Sequence, residues 1–531
     1  MSKQPKNNTW ADAEVTDFEA IRLAGYIADA TDFNATFPEP GTGDGLPDLA
    51  EVGETIRGKP VLPLGENVPG TVNWQIDSGR VQDVSDNVIT FGFLSQKHAT
   101  GLNNNPYYGE GRGYSEMTAA QKAAALVSIN NWDELIAASF VQAPAQNGAS
   151  AWAQNAADIW LANTYTGPAQ AWAYYPGSPD AGTRVSGDVW IADPRYNSSN
   201  NDLFAGGYGL QTLNHELGHS LGLSHPGNYN FGDDQDGDGV ADPITYEGDA
   251  FYFQDSHQYT IMSYFDSFET GNDQIDWNLM RFIYPSTPMV HDIAVIQNKY
   301  GADMTTRTGD TTYGFNATAD VTNPAMSFVE NERLTLFSIW DAGGNDTLDL
   351  SGYDSNSVID LRPGAYTSAG GPGEQLTIEE INANNAAAGL GSRTAAYDLY
   401  FGGREGANEG IPWSEIVDTD FVMDNNIGIA YGAIIENAIG GGGDDQINGN
   451  SANNELTGNG GDDTFVFADD SSTDTITDFD SGNDVIDLSE LGADESDVTF
   501  GDHEIFVTTA TNVVHIVSGN DQILMSDIYF G

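Results

Sequence analysis

Between residues 71 and 94 apolar and polar positions alternate in short stretches, Val72, Trp74 and Ile76 and then Val88, Ile89 and Phe91, the two-residue period of half-buried strands. The period then lengthens. Thr118 with Gln121 three residues on is a capping-box pattern, and Leu126, Ile129, Trp132 and Ile136 recur at helical spacing over about five turns. Residues 157–161 and 187–191, built around Ile159, Trp160, Leu161 and Val189, Trp190, Ile191, predict two more strands. A second helix is expected over residues 205–221, stopped where Gly222 can turn left-handed. A third is expected over 291–300, with Ile293, Ile296 and Tyr300 on one face and Gly301 at its end. Beyond about residue 310 helical periodicity nearly disappears and short apolar pairs alternate with Gly, Asn and Asp, which predicts an all-β half.

The division between the two halves falls between Thr308 and Asn331. Residues 1–65, rich in Pro and Gly with little periodicity, read as a leader or wrapped arm. The expected layout is that arm at 1–65, a helix-and-strand domain at 66–315 and a β domain at 316–531.

Charge sharpens this picture. The 531 residues carry 18 Lys+Arg against 79 Asp+Glu, a formal charge of -61, and no Cys. Thiolate chemistry and disulfides are excluded, and so negative a surface repels nucleic acid and anionic membranes. Carboxylates in such excess repel one another unless a divalent cation neutralises them, and hard oxygen donors suit calcium; simple solubility or salt adaptation is the competing explanation. No apolar run approaches a membrane span, and the first 30 residues hold no apolar signal core.

Candidate chemistry concentrates at His215-Glu216-Leu217-Gly218-His219-Ser220-Leu221-Gly222-Leu223-Ser224-His225, which fits HExxHxxGxxH at every fixed position. On a helix, His215 and His219 lie one turn apart and aim two imidazoles at one ion. Gly222 lets the chain turn so that His225 returns as a third ligand, leaving the open position that catalytic zinc needs. Glu216 can then take a proton from zinc-bound water, the hydroxide attacks a polarised carbonyl, and Glu216 returns the proton to the leaving amine. Buried, hydrogen-bonded histidines, or metal binding without catalysis, are the alternatives. Downstream, Tyr259-Thr260-Ile261-Met262-Ser263-Tyr264-Phe265 places Met262 and Tyr264 in a turn-like stretch; beside the long zinc motif the pair looks like the Met-turn of the metzincins.

The β half carries a tandem nonapeptide. Residues 440–448 fit GGxGxDxUx with Asp445 and Ile447; residues 449–457 repeat it with Asn454 and Leu456, and 458–466 with Asp463 and Phe465. Echoes occur at 344–348, 482–486 and 519–523. Each repeat reads as a Gly-rich turn and a short strand, so stacked turns can hold calcium between Gly441, Gly443 and Asp445, Asn454, and Gly458, Gly461 and Asp463, with Gly343 and Asp346 at the first echo. Without the ion the carboxylates repel, so folding should depend on calcium. Three adjacent repeats form a short array whose core flanking strands must complete. A further acidic loop, Asp234, Asp236, Asp238 and Asp242, begins like an EF-hand, but Thr245 stands where the twelfth-position Glu belongs; calcium there and a solvated insertion both remain open.

From about residue 70 to the end the chain resembles the serralysin family of secreted bacterial zinc proteases. The likeness rests on residues 215–227 (HELGHSLGLSHPG), 259–265 (YTIMSYF), 291–315 (HDIAVIQNKYGADMTTRTGDTTYGF), 337–349 (FSIWDAGGNDTLD) and 435–443 (IENAIGGGG). The resemblance implies an α+β metzincin-like catalytic domain, a twisted mixed sheet plus long helices, followed by an all-β parallel β-roll/sandwich domain. It implies Zn2+ on His215, His219 and His225, Glu216 as general base, Met262 as a hydrophobic floor, and Tyr264 as a zinc ligand that helps stabilise the tetrahedral intermediate. Ca2+ in the roll, export by a type I secretion apparatus, protein and peptide substrates, a protein inhibitor as a further partner, and a monomeric state are implied with it. Asp527-Ile528-Tyr529-Phe530 resembles the family's C-terminal secretion signal, from which Gly531 departs. The function expected is therefore a secreted, extracellular zinc endopeptidase. The rivals are a calcium-dependent structural or adhesive β-roll protein with an inactive protease module, and a zinc hydrolase of small amides or esters.

Overall fold

In the computed structural model, which describes residues 55–56, 59–60, 76–95, 113–143, 157–166, 170–177, 186–227, 229–230, 242–329, 333–401, 421–467, 469 and 471–531, the alternating stretch yields one strand, β1 (Val88–Phe93). Its earlier part, 71–75, lies outside the described residues, as does nearly all of the expected arm at 1–65. Of that arm Thr55–Ile56 and Lys59–Pro60 pair antiparallel.

The capping box forms as expected: Thr118 Oγ1 accepts from Gln121 N at 3.1 Å and Gln121 Oε1 from Thr118 N at 3.0 Å, opening α1 (Ala119–Asp133). The helix is shorter than its apolar spacing predicts. Its buried face is Ala124, Ala125, Ser128, Ile129 and Trp132; Leu126 stands one position off that face and is 44% exposed, and Ile136 lies beyond the helix, bridged to Ala302. Small residues, with no large side chain to show the period, supply half of the contact.

Four more strands follow, β2 (Ser139–Gln142), β3 (Ile159–Thr164), β4 (Ala171–Ala173) and β5 (Val189–Ala192), ordered β2-β1-β3-β5-β4. Pairing is parallel except for β4, which runs antiparallel along the edge, and for Tyr114–Ser115, antiparallel to β3. Both β3 and β5 are buried throughout, as strands covered on two faces must be. Two long helices, α2 (Tyr208–Ser220) and α3 (Val290–Tyr300), and a single helical turn at Tyr246–Asp249 also belong to this half. Trp132 Nε1 donates to Asn214 O at 3.2 Å, tying α1 to α2.

In the second half the chain coils between two sheets. Thr347–Asp349, Asn437–Ile439, Glu455–Thr457 and Thr473–Ile476 pair parallel in one sheet, while Val358–Asp360, Gln446–Asn448, Thr464–Val466 and Val485–Asp487 pair parallel in the other. Successive strands alternate sheets, so each nonapeptide is half a coil, and the apolar residues Ile447, Leu456 and Phe465 all point inward, fully buried. Ile528–Tyr529 extends the second sheet beside Val485–Asp487, and an antiparallel hairpin, Glu504–Thr508 with Val513–Ser518, extends the first. These flanking strands close the short array. The echo at 519–523 itself forms no strand, the next being Ile528–Tyr529, although Ile523 is buried.

The second half is not all β. Two helices, α4 (Ile378–Ala387) and α5 (Thr394–Phe401), interrupt it, and the first opens on a capping box between Thr377 and Glu380. In α4 only Ile381 and Asn385 are buried, which hides the period, and Ile381 and Ala396 dock on Ile275, Met280, Phe282 and Tyr284 of the first half. The halves share more than this contact. One continuous core runs from Ile89, Ile129 and Leu217 through Val290 and Ile296 to Leu336, Phe337, Leu348, Phe465 and Ile516.

Candidate metal centre

Twelve of the thirteen residues of α2 are buried, so a helix bearing His215, Glu216 and His219 is held rigidly inside the protein. One turn separates the two histidines, whose ring centroids lie 4.7 Å apart. The helix stops at Leu221. Gly222 takes φ +96°, and any side chain there would run into the Arg80 carbonyl, so only glycine lets the chain reverse. It then bridges Asp77 through Leu223 and brings His225 back towards the helix.

The three imidazoles meet through one edge. His225 Nε2 lies 3.1 Å from His219 Nε2 and 3.3 Å from His215 Nε2. On the opposite edge each ring gives its proton to a carbonyl: His215 Nδ1 to Ile261 O at 2.7 Å, His219 Nδ1 to Leu223 O at 2.8 Å and His225 Nδ1 to Tyr229 O at 2.9 Å. Those bonds fix the tautomer, leaving three Nε2 lone pairs aimed at one point. Burial pushes His215 down to about 4 and His225 to about 3, and His219 well below the usual range, with neighbouring imidazoles adding to the effect on His219 and His225. The rings are therefore neutral donors at neutral pH. Three lone pairs facing each other without a proton repel, and a cation relieves this. Tetrahedral zinc with Zn–N bonds of about 2.0–2.1 Å sets its nitrogens roughly 3.3–3.4 Å apart, close to the separations here, so the donor set fits that ion.

Glu216 follows the first of these histidines. It is 5% exposed, its Oε2 has no hydrogen-bond partner, and burial pushes its carboxyl up to about 8. Met262 is fully buried under α2 against Gly218, where Trp132 also packs. Tyr264 stands beside the centre, its ring centroid 4.4 Å from that of His225 and 6.0 Å from that of His215. His215, His219, His225 and Tyr264 thus lie together, with Met262 beneath the helix and Glu216 buried on it.

Other participants carry no motif. Asp292, buried near the start of α3, accepts from Ile261 N at 2.8 Å and Met289 N at 2.9 Å through Oδ2, and from Thr260 Oγ1 at 2.6 Å through Oδ1. It therefore fixes the peptide whose carbonyl holds His215. An acid in the first turn of a helix is a legible signal; its reach across the chain to residue 261 is not. Tyr229 and Asp255, both buried, lie behind His225 and likewise escape any local pattern.

In the coil the expected calcium residues fall on stacked turns. Asp445 Oδ2 accepts from Gly441 N at 2.5 Å, Asp463 Oδ1 from Asp445 N at 2.9 Å, and Gly458 N donates to Asp478 Oδ1 at 3.0 Å. Gly461 stacks against the Gly443 carbonyl. Burial, reinforced by neighbouring carboxylates, pushes Asp445 up to about 6 and Asp463 to about 7. Asp346 is likewise pushed to about 7, by burial and by the charges of Asp341 and Glu436, two acids the repeat pattern does not flag. Gly343, at φ +130°, turns the chain between Asp341 and Asp346. Asn454 differs: its amide donates to Glu436 O at 2.8 Å and Asn450 Oδ1 at 2.9 Å. Of the acidic loop, Asp234, Asp236 and Asp238 lie outside the described residues, and only Asp242 lies within them.

Among the described residues no helix is long and apolar enough to cross a membrane. The family described as Peptidase M10 serralysin C terminal matches residues 302–409 and 414–527. Serralysin of Proteus mirabilis is 36% identical over 295 residues, 55% of this chain and 55% of that protein. Serralysin C of Dickeya chrysanthemi is 34% identical over 343 residues, 62% of this chain and 65% of that protein. Metallopeptidase AprA of Pseudomonas marginalis is 31% identical over 407 residues, 76% of this chain and 68% of that protein. The match therefore spans between about half and two thirds of these relatives' own lengths. With a family match over much of its second half and a 31% identical relative aligned across both halves, the chain belongs to the serralysin family.

Proposed function

We propose that the chain is a secreted zinc-dependent endopeptidase that hydrolyses peptide bonds of extracellular proteins. The observation that carries this reading is the convergence of three Nε2 lone pairs, each fixed by an Nδ1 bond to a carbonyl, with a buried glutamate on the same helix whose Oε2 has no donor. His215, His219 and His225 would hold zinc, with Tyr264 as a further ligand at rest. When bound, zinc supplies a Lewis acid that polarises a peptide carbonyl and makes water acidic enough to ionise near neutral pH. Glu216 takes the proton of the attacking water and passes it to the departing amine, so its high proton affinity suits both steps. The Tyr264 hydroxyl donates a hydrogen bond to the oxyanion as it develops. Met262, with no polar contact to offer, fills the space below the histidines and keeps α2 in place.

The second half serves as a calcium-dependent β-roll. Asp346, Asp445 and Asp463, with the carbonyls of the turns at Gly343, Gly441, Gly443, Gly458 and Gly461, would take Ca2+, and the raised proton affinity of these carboxyls supports the need for a cation. Such a roll orders outside the cell, where calcium is plentiful, in keeping with type I export of the chain. The arm at 1–65, the protease domain at 66–315 and the roll at 316–531 are the corresponding functional units.

The test is casein cleavage by the calcium-loaded protein with and without a zinc chelator, beside Glu216→Ala and a count of zinc and calcium per chain. Activity lost on chelation and in the variant, with about one zinc bound, is the expected result. Zinc bound without cleavage would favour an inactive protease module on a structural β-roll protein.

A further inference from the structure

His215 and His219 stand on a buried helix, but His225 stands on the chain beyond it, and something must hold that chain in place. Its immediate support is Tyr229, whose carbonyl takes the His225 Nδ1 proton and whose ring lies nearly parallel to the imidazole, at 8° and 5.6 Å. Tyr229 is in turn anchored by its hydroxyl, which donates to Asp255 Oδ1 at 2.8 Å. The same oxygen accepts from Ser263 Oγ, also at 2.8 Å. Ser263 lies between Met262 and Tyr264, and its Oγ accepts from Phe265 N at 3.0 Å, so its bond to Asp255 fixes the short segment that presents Tyr264. The rings of Tyr229 and Tyr264 are 5.2 Å apart, on either side of this junction. One carboxylate oxygen thus joins the loop of the third histidine to the segment of the tyrosine.

We propose that Asp255 is a positioning residue of the metal centre, setting His225 through Tyr229 and Tyr264 through Ser263. This inference rests on the zinc protease reading. Asp255 is fully buried and its second oxygen has no partner, an arrangement that costs stability and that an apolar side chain would avoid. A role beyond stability accounts for it. Burial pushes this carboxyl up to about 7, against the pull of the Ser263 and Tyr229 hydroxyls and of the Lys59 ammonium, which donates to the Ala250 carbonyl at 2.7 Å.

The two branches separate experimentally. Tyr229→Phe removes only the hydroxyl, and Ser263→Ala only the other donor, so neither empties the core as loss of Asp255 would. Zinc affinity is read by competition with a chromogenic chelator, geometry by the visible spectrum of the cobalt(II)-substituted protein, and turnover by kcat and KM on a peptide. Tyr229→Phe is expected to weaken zinc binding about 10-fold, within the range for loss of an outer partner of a metal ligand, and to shift the cobalt spectrum. Ser263→Ala is expected to weaken zinc binding less than Tyr229→Phe does while lowering kcat about 10-fold at unchanged KM, and Asp255→Asn to show both effects. Variants with wild-type zinc affinity, cobalt spectrum and kcat would overturn the proposal while leaving the protease reading intact. A wild-type protein that takes up no zinc would instead overturn that reading, and the proposal with it.

Discussion

Met262 lies directly beneath Gly218, so close that a β-carbon on the glycine would fall 2.7 Å from the methionine sulfur and 3.3 Å from Trp132 Cζ2. Helix propensity alone favours alanine at this position by about 1 kcal/mol. The contact opposes that gain, because neither the sulfur of a fully buried methionine nor the Trp132 ring has room to retreat.

Gly218→Ala is therefore expected to destabilise the protein by about 1–3 kcal/mol, the usual range for an overpacked core, and to weaken zinc binding by tilting the helix that carries two ligands. Met262→Ala alone should cost about 2–5 kcal/mol through the cavity it leaves. Since the new methyl group partly fills that cavity, the double variant should be more stable than the sum predicts, by about 0.5–3 kcal/mol of coupling. Urea unfolding of the four proteins measures it, and strict additivity would show that the two residues do not touch.

Asp292 gives a second test of how the floor of the site is held. Its carboxylate holds Ile261 N, Met289 N and Thr260 Oγ1, and the Ile261 carbonyl holds His215. Asp292→Ala leaves these buried donors without an acceptor, at about 1–3 kcal/mol for each group not rescued by water. The expected outcome is a large fall in urea midpoint together with weaker zinc binding. A drop in stability with zinc affinity unchanged would mean that the peptide at residue 261 holds its place without the carboxylate.

How much of this was legible in the sequence depends on the span of each interaction. His215, Glu216, His219, Gly222 and His225 act within eleven residues of one another, so spacing alone reveals them, and the nonapeptides show their inward residues for the same reason. Asp255 and Asp292 act on residues 26 and 31 positions away, and although a helix start marks Asp292 as a first-turn acid, nothing local marks the reach of either. Leu126 misleads because α1 makes much of its contact through Ala124, Ala125 and Ser128, which hide the true face. Helix α4 was half legible: Thr377 and Glu380 spell its capping box, but only Ile381 and Asn385 are buried, too few to show a period.

Glu216 and Tyr264 should each be needed for turnover beyond any part in holding the metal. Glu216→Gln keeps the size of the side chain and loses the base, so turnover should fall at least 10²-fold, with zinc still bound. Tyr264→Phe keeps the ring, which packs 4.4 Å from His225, and loses one donor to the oxyanion, which should lower kcat by about 10²-fold or more with little change in KM. Steady-state kinetics with zinc counted per chain separates lost chemistry from lost metal in each variant. Equal losses of kcat and zinc in Tyr264→Phe would make the tyrosine chiefly a ligand.

Protons and calcium should compete for the roll. Asp445 is pushed up to about 6, and Asp346 and Asp463 to about 7, above the value of an unfolded aspartate, by burial first. A group with a raised pKa binds its proton more tightly when folded, so its contribution is fully present below about 4 and is lost as pH climbs through 6 to 7. The calcium-free protein is thus expected to melt at a higher temperature at pH 5 than at pH 8. Saturating calcium, which replaces the protons, should raise the melting temperature far more at pH 8 than at pH 5. Thermal unfolding followed by circular dichroism at the two pH values, with calcium and with chelator, checks this. A calcium-free protein that is more stable at pH 8 would contradict it.

The Asn turn makes the opposite prediction for a single site. At the repeat position held by Asp445 and Asp463, Asn454 binds Glu436 O and Asn450 Oδ1 through its own amide, while Asn450 donates to Leu361 O at 3.0 Å and Ile435 O at 2.8 Å. These oxygens already have amide protons, so the asparagine amides satisfy them without a cation. Asn454→Asp removes the two donors, places a charge in a site 2% exposed, and leaves Glu436 O without its partner. In the absence of calcium the variant should lose about 1–3 kcal/mol, the usual cost of a buried group deprived of its bond. Added calcium should restore part of that loss, since the new carboxylate and the freed carbonyl are both hard oxygen donors, and the midpoint of calcium-driven folding should move to higher concentration. A calcium titration of folding for wild type and variant gives the comparison, and an unchanged midpoint with unchanged apo stability would mean that the asparagine amides do not stand in for an ion.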